Sequence, residues 1–169
     1  MKNERIFPRD FTLDMMISLC CSLNYFTLLI NITGFAAFRF GSDTAIGGTA
    51  AGIYVIGGLL SRIVAGKYIE MVGRKKMLLI GLSFALVMST TYFFVSSIAM
   101  LMAIRFLHGM SYGISSTCTS DIVAKLLPQS RRGEGLGYFF LSITIACAIG
   151  PLLGMTLGSS QNYDAVFLV

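Results

Sequence analysis

Arg105, His108 and Tyr112 stand at i, i+3 and i+7 within an apolar stretch, so three side chains that can hold or relay charge share one helical face. Ser116 and Thr119 continue the stripe. Arginine keeps its proton in proteins, so Arg105 can act only through its field, by favouring ionisation of a nearby acid or by holding an anion. A structural ion pair or a clamp on backbone carbonyls is the plainer use of the same group. His108, the only histidine, can titrate near neutrality, although Arg105 on the same face opposes a second positive charge. A hydrogen-bonding strut is its alternative role. A second charged set lies elsewhere: Gly66 and Gly73 bracket Glu70, and Arg74, Lys75 and Lys76 follow at once. A second polar stripe, Asn24, Thr27 and Asn31, repeats the i, i+3, i+7 spacing near the N-terminus.

These residues lie in or between long apolar runs, and the runs decide the class of protein. Of 169 residues 55% are hydrophobic and 12% charged, with a mean hydropathy of +0.77. A soluble domain of this size carries about twice that charge. The runs exceed the ~18 residues needed to cross a hydrocarbon core of ~30 Å. Spans are expected at about 15–37, 45–68, 77–95, 98–126 and 135–157, with 165–169 as the first turn of a sixth. The chain therefore reads as an all-α membrane protein of five transmembrane helices and the start of a sixth, embedded in a lipid bilayer. With its helix starting near Ile98, Arg105 lies roughly 10 Å inside it. An arginine at that depth costs several kcal/mol against lipid, so it is expected to face the bundle interior or a water-filled cavity.

The net charge of +5 does not point to nucleic acid, because the cations are placed by topology. Ten of thirteen lie before the first span, after the second or after the fourth: Lys2, Arg5, Arg9; Lys67, Arg74, Lys75, Lys76; Lys125, Arg131, Arg132. Lys and Arg in short loops resist translocation, which sets the N-terminus in the cytoplasm. Arg39 is the only cation at an outward turn, and Arg62 lies within the second span. Cys20, Cys21, Cys118 and Cys147 fall inside apolar runs without a Cys-x-x-Cys pair and read as small packing residues. The first apolar stretch is too long for a signal-peptide core. There is no His-x-x-x-His, no cysteine-rich metal set and no serine elbow, so no enzyme, cofactor or metal centre is implied.

Small residues mark the helices meant to touch. The second span carries Gly47, Gly48, Ala51, Gly52, Gly57 and Gly58, and the fifth carries Ala146, Gly150, Gly154 and Gly158 at four-residue spacing. Such faces let backbones approach closely, and in a membrane close packing drives association. The third span has no charged residue and reads as a helix with much lipid contact. A polar-faced helix, a glycine helix and an apolar helix thus occur in that order from the first span, and the order begins again at the fourth.

Gly66-x-x-x-Glu70-x-x-Gly73-Arg74-Lys75-Lys76 resembles the signature of the loop after the second helix in the major facilitator superfamily of secondary transporters, with Met71 where Arg or Lys is usual. Arg105-x-x-His108-Gly109-x-x-x-Gly113 resembles the fourth-helix motif of its proton-coupled members. Gly137, Gly150, Pro151 and Gly154 resemble the antiporter motif of drug and metabolite exporters, with Ala146 and Met155 at two glycine positions. The resemblance implies an incomplete N-terminal six-helix bundle, residues 1–169 forming one partial domain, with a C-terminal helix bundle of the same transporter as its missing partner. It implies secondary active transport of a small solute, proton-coupled and outward, across a bacterial inner membrane. It also implies an inner gate in which Glu70 pairs with Arg74, four residues on, and with Asp121 at the inner end of the fourth helix. The stripes Asn24, Thr27, Asn31, Arg105, His108 and Tyr112 suit a polar or anionic solute better than a lipophilic cation. Asp14, Glu70 and Asp121 lie at inner ends and Asp43 and Asp164 at outer turns, so a proton carrier within the chain would have to be His108. The competing reading is a truncated, non-transporting membrane protein or an interaction subunit, and it rests on chain length.

Overall fold

Gly73 alone separates the second helix from the third, and its φ of +90° is a conformation that side chains other than glycine's rarely tolerate. That single residue reverses the chain in this computed structural model, which describes residues 9–158 and 163–167. The helices are α1 (Arg9–Phe40), α2 (Thr44–Val72), α3 (Arg74–Thr91), α4 (Ile98–Leu126), α5 (Arg132–Gly158) and α6 (Tyr163–Phe167). Short 3₁₀ turns, Tyr92–Phe94 and Gln129–Arg131, follow α3 and precede α5. Asp43 caps α2 by accepting from the Thr44 amide, and Ser97 caps α4 by accepting from that of Met100. No strand occurs among the described residues, and five helices are long and apolar enough to cross a membrane. The protein is a multi-pass membrane protein.

The first and fifth helices start earlier than the apolar runs suggest, at Arg9 and Arg132. A helix need not stop where the hydrocarbon does: 32 residues rise about 48 Å, well beyond a ~30 Å core. The extra turns of α1 and α5 gather at one end, together with the α2–α3 junction; we call this the basic end. The expected turn at 158–162 and the last residues of the sixth segment lie largely outside the described residues.

Two seams hold the bundle. Along the α2–α4 seam a Cβ added to Gly57 would strike the Phe106 carbonyl, one on Gly109 the Tyr54 carbonyl, and one on Gly113 the Gly58 carbonyl. Backbone touches backbone there. Along the α1–α5 seam Gly150 meets Phe26, and Gly154 and Gly158 meet Asn31. Ala146, Gly150 and Gly154 are buried in this contact. Gly137 is not: it is exposed, with nothing within 4 Å of an added Cβ, because it lies off the four-residue stripe.

Apolar clusters close both ends. Phe11, Val123, Leu127 and Phe139 pack at the basic end, while Leu28, Ile32, Phe35, Tyr92, Leu101 and Phe167 pack at the other. Leu78 and Gly81 are the buried residues of α3, and Leu79 and Ile80 are widely exposed, as suits a helix against lipid.

Candidate functional site

Arg105 is fully buried, with 0% exposure. Its Nε donates to the Ala50 carbonyl of α2 at 3.2 Å, its NH1 to the Tyr92 hydroxyl at 3.5 Å, and the guanidinium lies 4.5 Å from the centroid of the Tyr54 ring. The last is a desolvated cation–π contact, worth up to ~2 kcal/mol. NH2 has no hydrogen-bond partner. Arg105 is thus turned into the bundle, as its cost against lipid requires, and it is not among the residues that line the large cavity between α1, α3 and α4. Tyr54 stands between it and the cavity, and the carbonyl clamp is the geometry observed.

Tyr92 also meets His108, its hydroxyl 3.2 Å from Nδ1. Arginine can only donate, so with NH1 donating to the phenol oxygen the phenol proton goes to Nδ1 and the ring hydrogen sits on Nε2. In this network His108 is a neutral strut, joined edge-on to Tyr54 at 5.4 Å. A second positive charge beside Arg105 would have no counterion.

A cavity of about 440 Å³ opens between α1, α3 and α4. Asn24, His108 and Tyr112 line it, together with Ser111 and Ser115. Leu82, Leu86, Ser89 and Phe93 form its far wall, so α3, expected to meet mainly lipid, supplies one side. Tyr25 stacks between Tyr54 and Tyr112, at 5.2 Å from each, and holds the near wall together. Beyond that stack Arg62 borders a smaller hollow of about 160 Å³ with Tyr25, Tyr54 and Tyr112, away from the charged cluster at the basic end.

The polar stripe of α1 is divided. Thr27 donates to the Gly150 carbonyl at 3.2 Å, and Asn31 donates to the Thr27 carbonyl at 2.9 Å while filling the space over Gly154 and Gly158. Both are buried against α5 rather than in the cavity, because the glycines let α5 close over them; Asn24, one turn earlier, stays in the cavity wall. Gly150, Pro151 and Gly154 thus belong to a helix seam, with Pro151 inside α5.

At the basic end four charges interlock. Arg74 donates to Glu70 and to Asp121, each at 2.5 Å. Lys125 reaches Glu70 at 2.6 Å and Asp121 at 3.7 Å. The arrangement ties the end of α2 and the head of α3 to α4. Lys75 and Lys76 are exposed beside it, and Gly66 is exposed with open space around it.

A model of the Major Facilitator Superfamily matches residues 15–169. The chain belongs to that superfamily. An uncharacterized MFS-type transporter of Mycobacterium tuberculosis is 30% identical over 141 residues, covering 83% of this chain and 24% of that protein. Multidrug resistance protein 3 of Bacillus subtilis is 28% identical over 116 residues, 69% of this chain and 23% of that one. Probable anion transporter 6, chloroplastic, of Arabidopsis thaliana is 24% identical over 155 residues, 87% of this chain and 28% of that one. This facilitator chain spans about a quarter of the length of these relatives.

Four residues of the facilitator site escape sequence reasoning. Lys125 was legible in principle as the i+4 neighbour of Asp121. Tyr25, Tyr54 and Tyr92 carry a weaker signal: phenols within apolar spans, whose hydroxyls need partners there.

Proposed function

We propose that the chain is the N-terminal part of a secondary carrier that exports a small polar or anionic solute in exchange for protons. The C-terminal helix bundle of the same transporter would be its partner across the solute path. The observation that carries this reading is the four-charge cluster of Glu70, Arg74, Asp121 and Lys125. It closes the gap between the α2–α3 turn and α4 with contacts that half-exposed water can compete for, which suits a closure that forms in one state and breaks in another. Behind it, Arg105 fixes the cavity wall through Tyr54 and through the Tyr92–His108 pair. Its role is positional and electrostatic: it sets a positive field behind Asn24, His108 and Tyr112 without touching the solute.

Loop charge supports a cytoplasmic position for this end, and the membrane in this reading is a bacterial inner membrane. The α1–α5 seam over Gly150, Pro151 and Gly154 supports exchange over co-transport, because a bare, tightly closed seam limits leak. One relative is named for multidrug resistance and another for anions; Asn24, His108, Ser111, Tyr112 and Ser115, set in a largely apolar cavity, support the second chemistry.

The test is a complete carrier bearing these residues, reconstituted in proteoliposomes under an imposed pH gradient and offered a panel of small anions and neutral polar solutes. Gradient-dependent flux that vanishes in Arg105→Ala, with membrane insertion intact, supports the reading. Unchanged flux in that variant removes Arg105 from the mechanism. No flux for any solute favours a non-transporting membrane protein.

A further inference from the structure

Asp14 is the one buried carboxylate among the described residues, 3% exposed, and its Oδ2 has no hydrogen-bond partner. No described cation pairs with it. An unpaired carboxyl group in such a place is held most cheaply as the neutral acid. The apolar cluster of Phe11, Val123, Leu127 and Phe139 packs at the basic end, with Phe11 one turn before Asp14 on α1.

On its other side the surroundings are hydroxylic. Ser18 and Ser22 follow Asp14 at i+4 and i+8 on the same face of α1, and both are buried. A cavity of about 20 Å³ lies between them and α4, lined by Ser18, Ser22, Tyr112, Ser115 and Thr119 among others. That is room for about one water. Ser115 Oγ, a second buried atom without a partner, borders this cavity and the large one alike. Ser22 Oγ stands 3.5 Å from the Tyr112 hydroxyl, and Tyr112 also borders both.

We propose that this α1–α4 seam is a proton path, in which Asp14 stores the proton and Ser18, a water beside Ser115, Ser22 and Tyr112 relay it to the large cavity. In each hop an oxygen accepts one proton and gives up another. Asp14 alone therefore changes charge, from acid to carboxylate, and one proton arrives in the cavity for each that leaves Asp14. The inference rests on the proton-coupled reading above and gives it a carrier that the neutral His108 does not supply. Among the described residues, Cys21 on α1 and Cys118 on α4 lie within electrostatic reach of Asp14, with Asp121 beyond Cys118; Asp10, four residues earlier on α1, and Arg9 beside it are the charged groups at the exposed start of the helix. The buried faces of α5 and α2 at this level present Phe139 and Ser142, and Ser61, Ala65 and Ile69, none of them ionisable.

Infrared spectroscopy of the full chain in lipid vesicles tests this without any solute. A protonated-carboxyl band at neutral pH that is lost in Asp14→Asn is expected. After transfer to heavy water, exchange of that band should slow about tenfold in Tyr112→Phe and in Ser22→Ala, the loss of one relay hydrogen bond in each. Both variants delete only a hydroxyl, and unchanged helix content by circular dichroism shows that they fold. Absence of the band, or exchange as fast in both variants as in the parent chain, overturns the path. Coupled flux in the complete carrier with no such band would sink this inference alone. A slowed band with no flux for any solute would leave the path standing and remove the transport reading.

Discussion

Replacing Arg74 by glutamine keeps the length and hydrogen-bonding reach of the side chain and removes its charge from two contacts at once. The Arg74–Asp121 pair is the better shielded of the two, with side chains 27% and 31% exposed, so it falls at the upper end of surface ion pairs, about 1 kcal/mol. Glu70 is 65% exposed, and its i,i+4 contact with Arg74 is worth about 0.3–0.5 kcal/mol. Arg74→Gln should therefore weaken the closure by about 1.5 kcal/mol, about tenfold in the ratio of closed to open forms. Lys125 still spans Glu70 and Asp121, so closure is reduced rather than abolished. The reporter is Ile122→Cys, in a background without the four native cysteines, because Ile122 lines the hollow beside Arg74 and Lys125. Its labelling by a membrane-impermeant maleimide should speed up about tenfold in Arg74→Gln. Salt at ~1 M should accelerate the parent more than the variant, which keeps only the Lys125 contacts, since screening then acts within about 3 Å. In a double-mutant cycle with Asp121→Asn the two changes should be clearly non-additive. Additive effects, or a parent indifferent to salt, would refute the claim that these charges hold the gap shut.

The glycines separate packing from motif. Gly109→Ala drives a methyl into the Tyr54 backbone and should cost about 1–3 kcal/mol, whereas Gly66→Ala, with open space around it, should be neutral or gain up to about 1 kcal/mol. Unfolding of the purified chain in mixed micelles measures both, and equal losses would contradict the seam. For orientation, a cysteine at Ser96 should react with an impermeant reagent applied to whole cells while one at Lys76 is spared; the reverse pattern would invert the protein in the membrane.

The fold was legible because apolar length and loop charge are one-dimensional signals. Arg105 shows the limit of such signals. Its cost against lipid turns it inward, but its acceptor is a carbonyl 55 positions away on α2, which only a helix crossing can supply. Spacing puts Asn24, Thr27 and Asn31 on one face correctly. What covers each depends on where α5 crosses α1, and that crossing takes Thr27 and Asn31 and leaves Asn24 to the cavity. Glu70, Arg74 and Asp121 come together at the basic end; Lys125 has a local signal in its i+4 spacing from Asp121, but its reach to Glu70 on α2 depends on the helix crossing. Asp14 looked like an interfacial carboxylate because the apolar run starts after it. The helix begins earlier, at Arg9, and carries Asp14 in behind Phe11.

Where peptide planes of α2 and α4 meet, no side chain can flex to absorb a shift. The two helices make a stiff beam, extended towards the basic end by Ile69 and Cys118 in one apolar cluster. Glu70, Asp121 and Lys125 are all mounted on that beam, so they hold station relative to one another. Arg74 reaches them from the head of α3, beyond a one-residue glycine pivot, and Leu78, one turn further on, anchors that helix in the same apolar cluster.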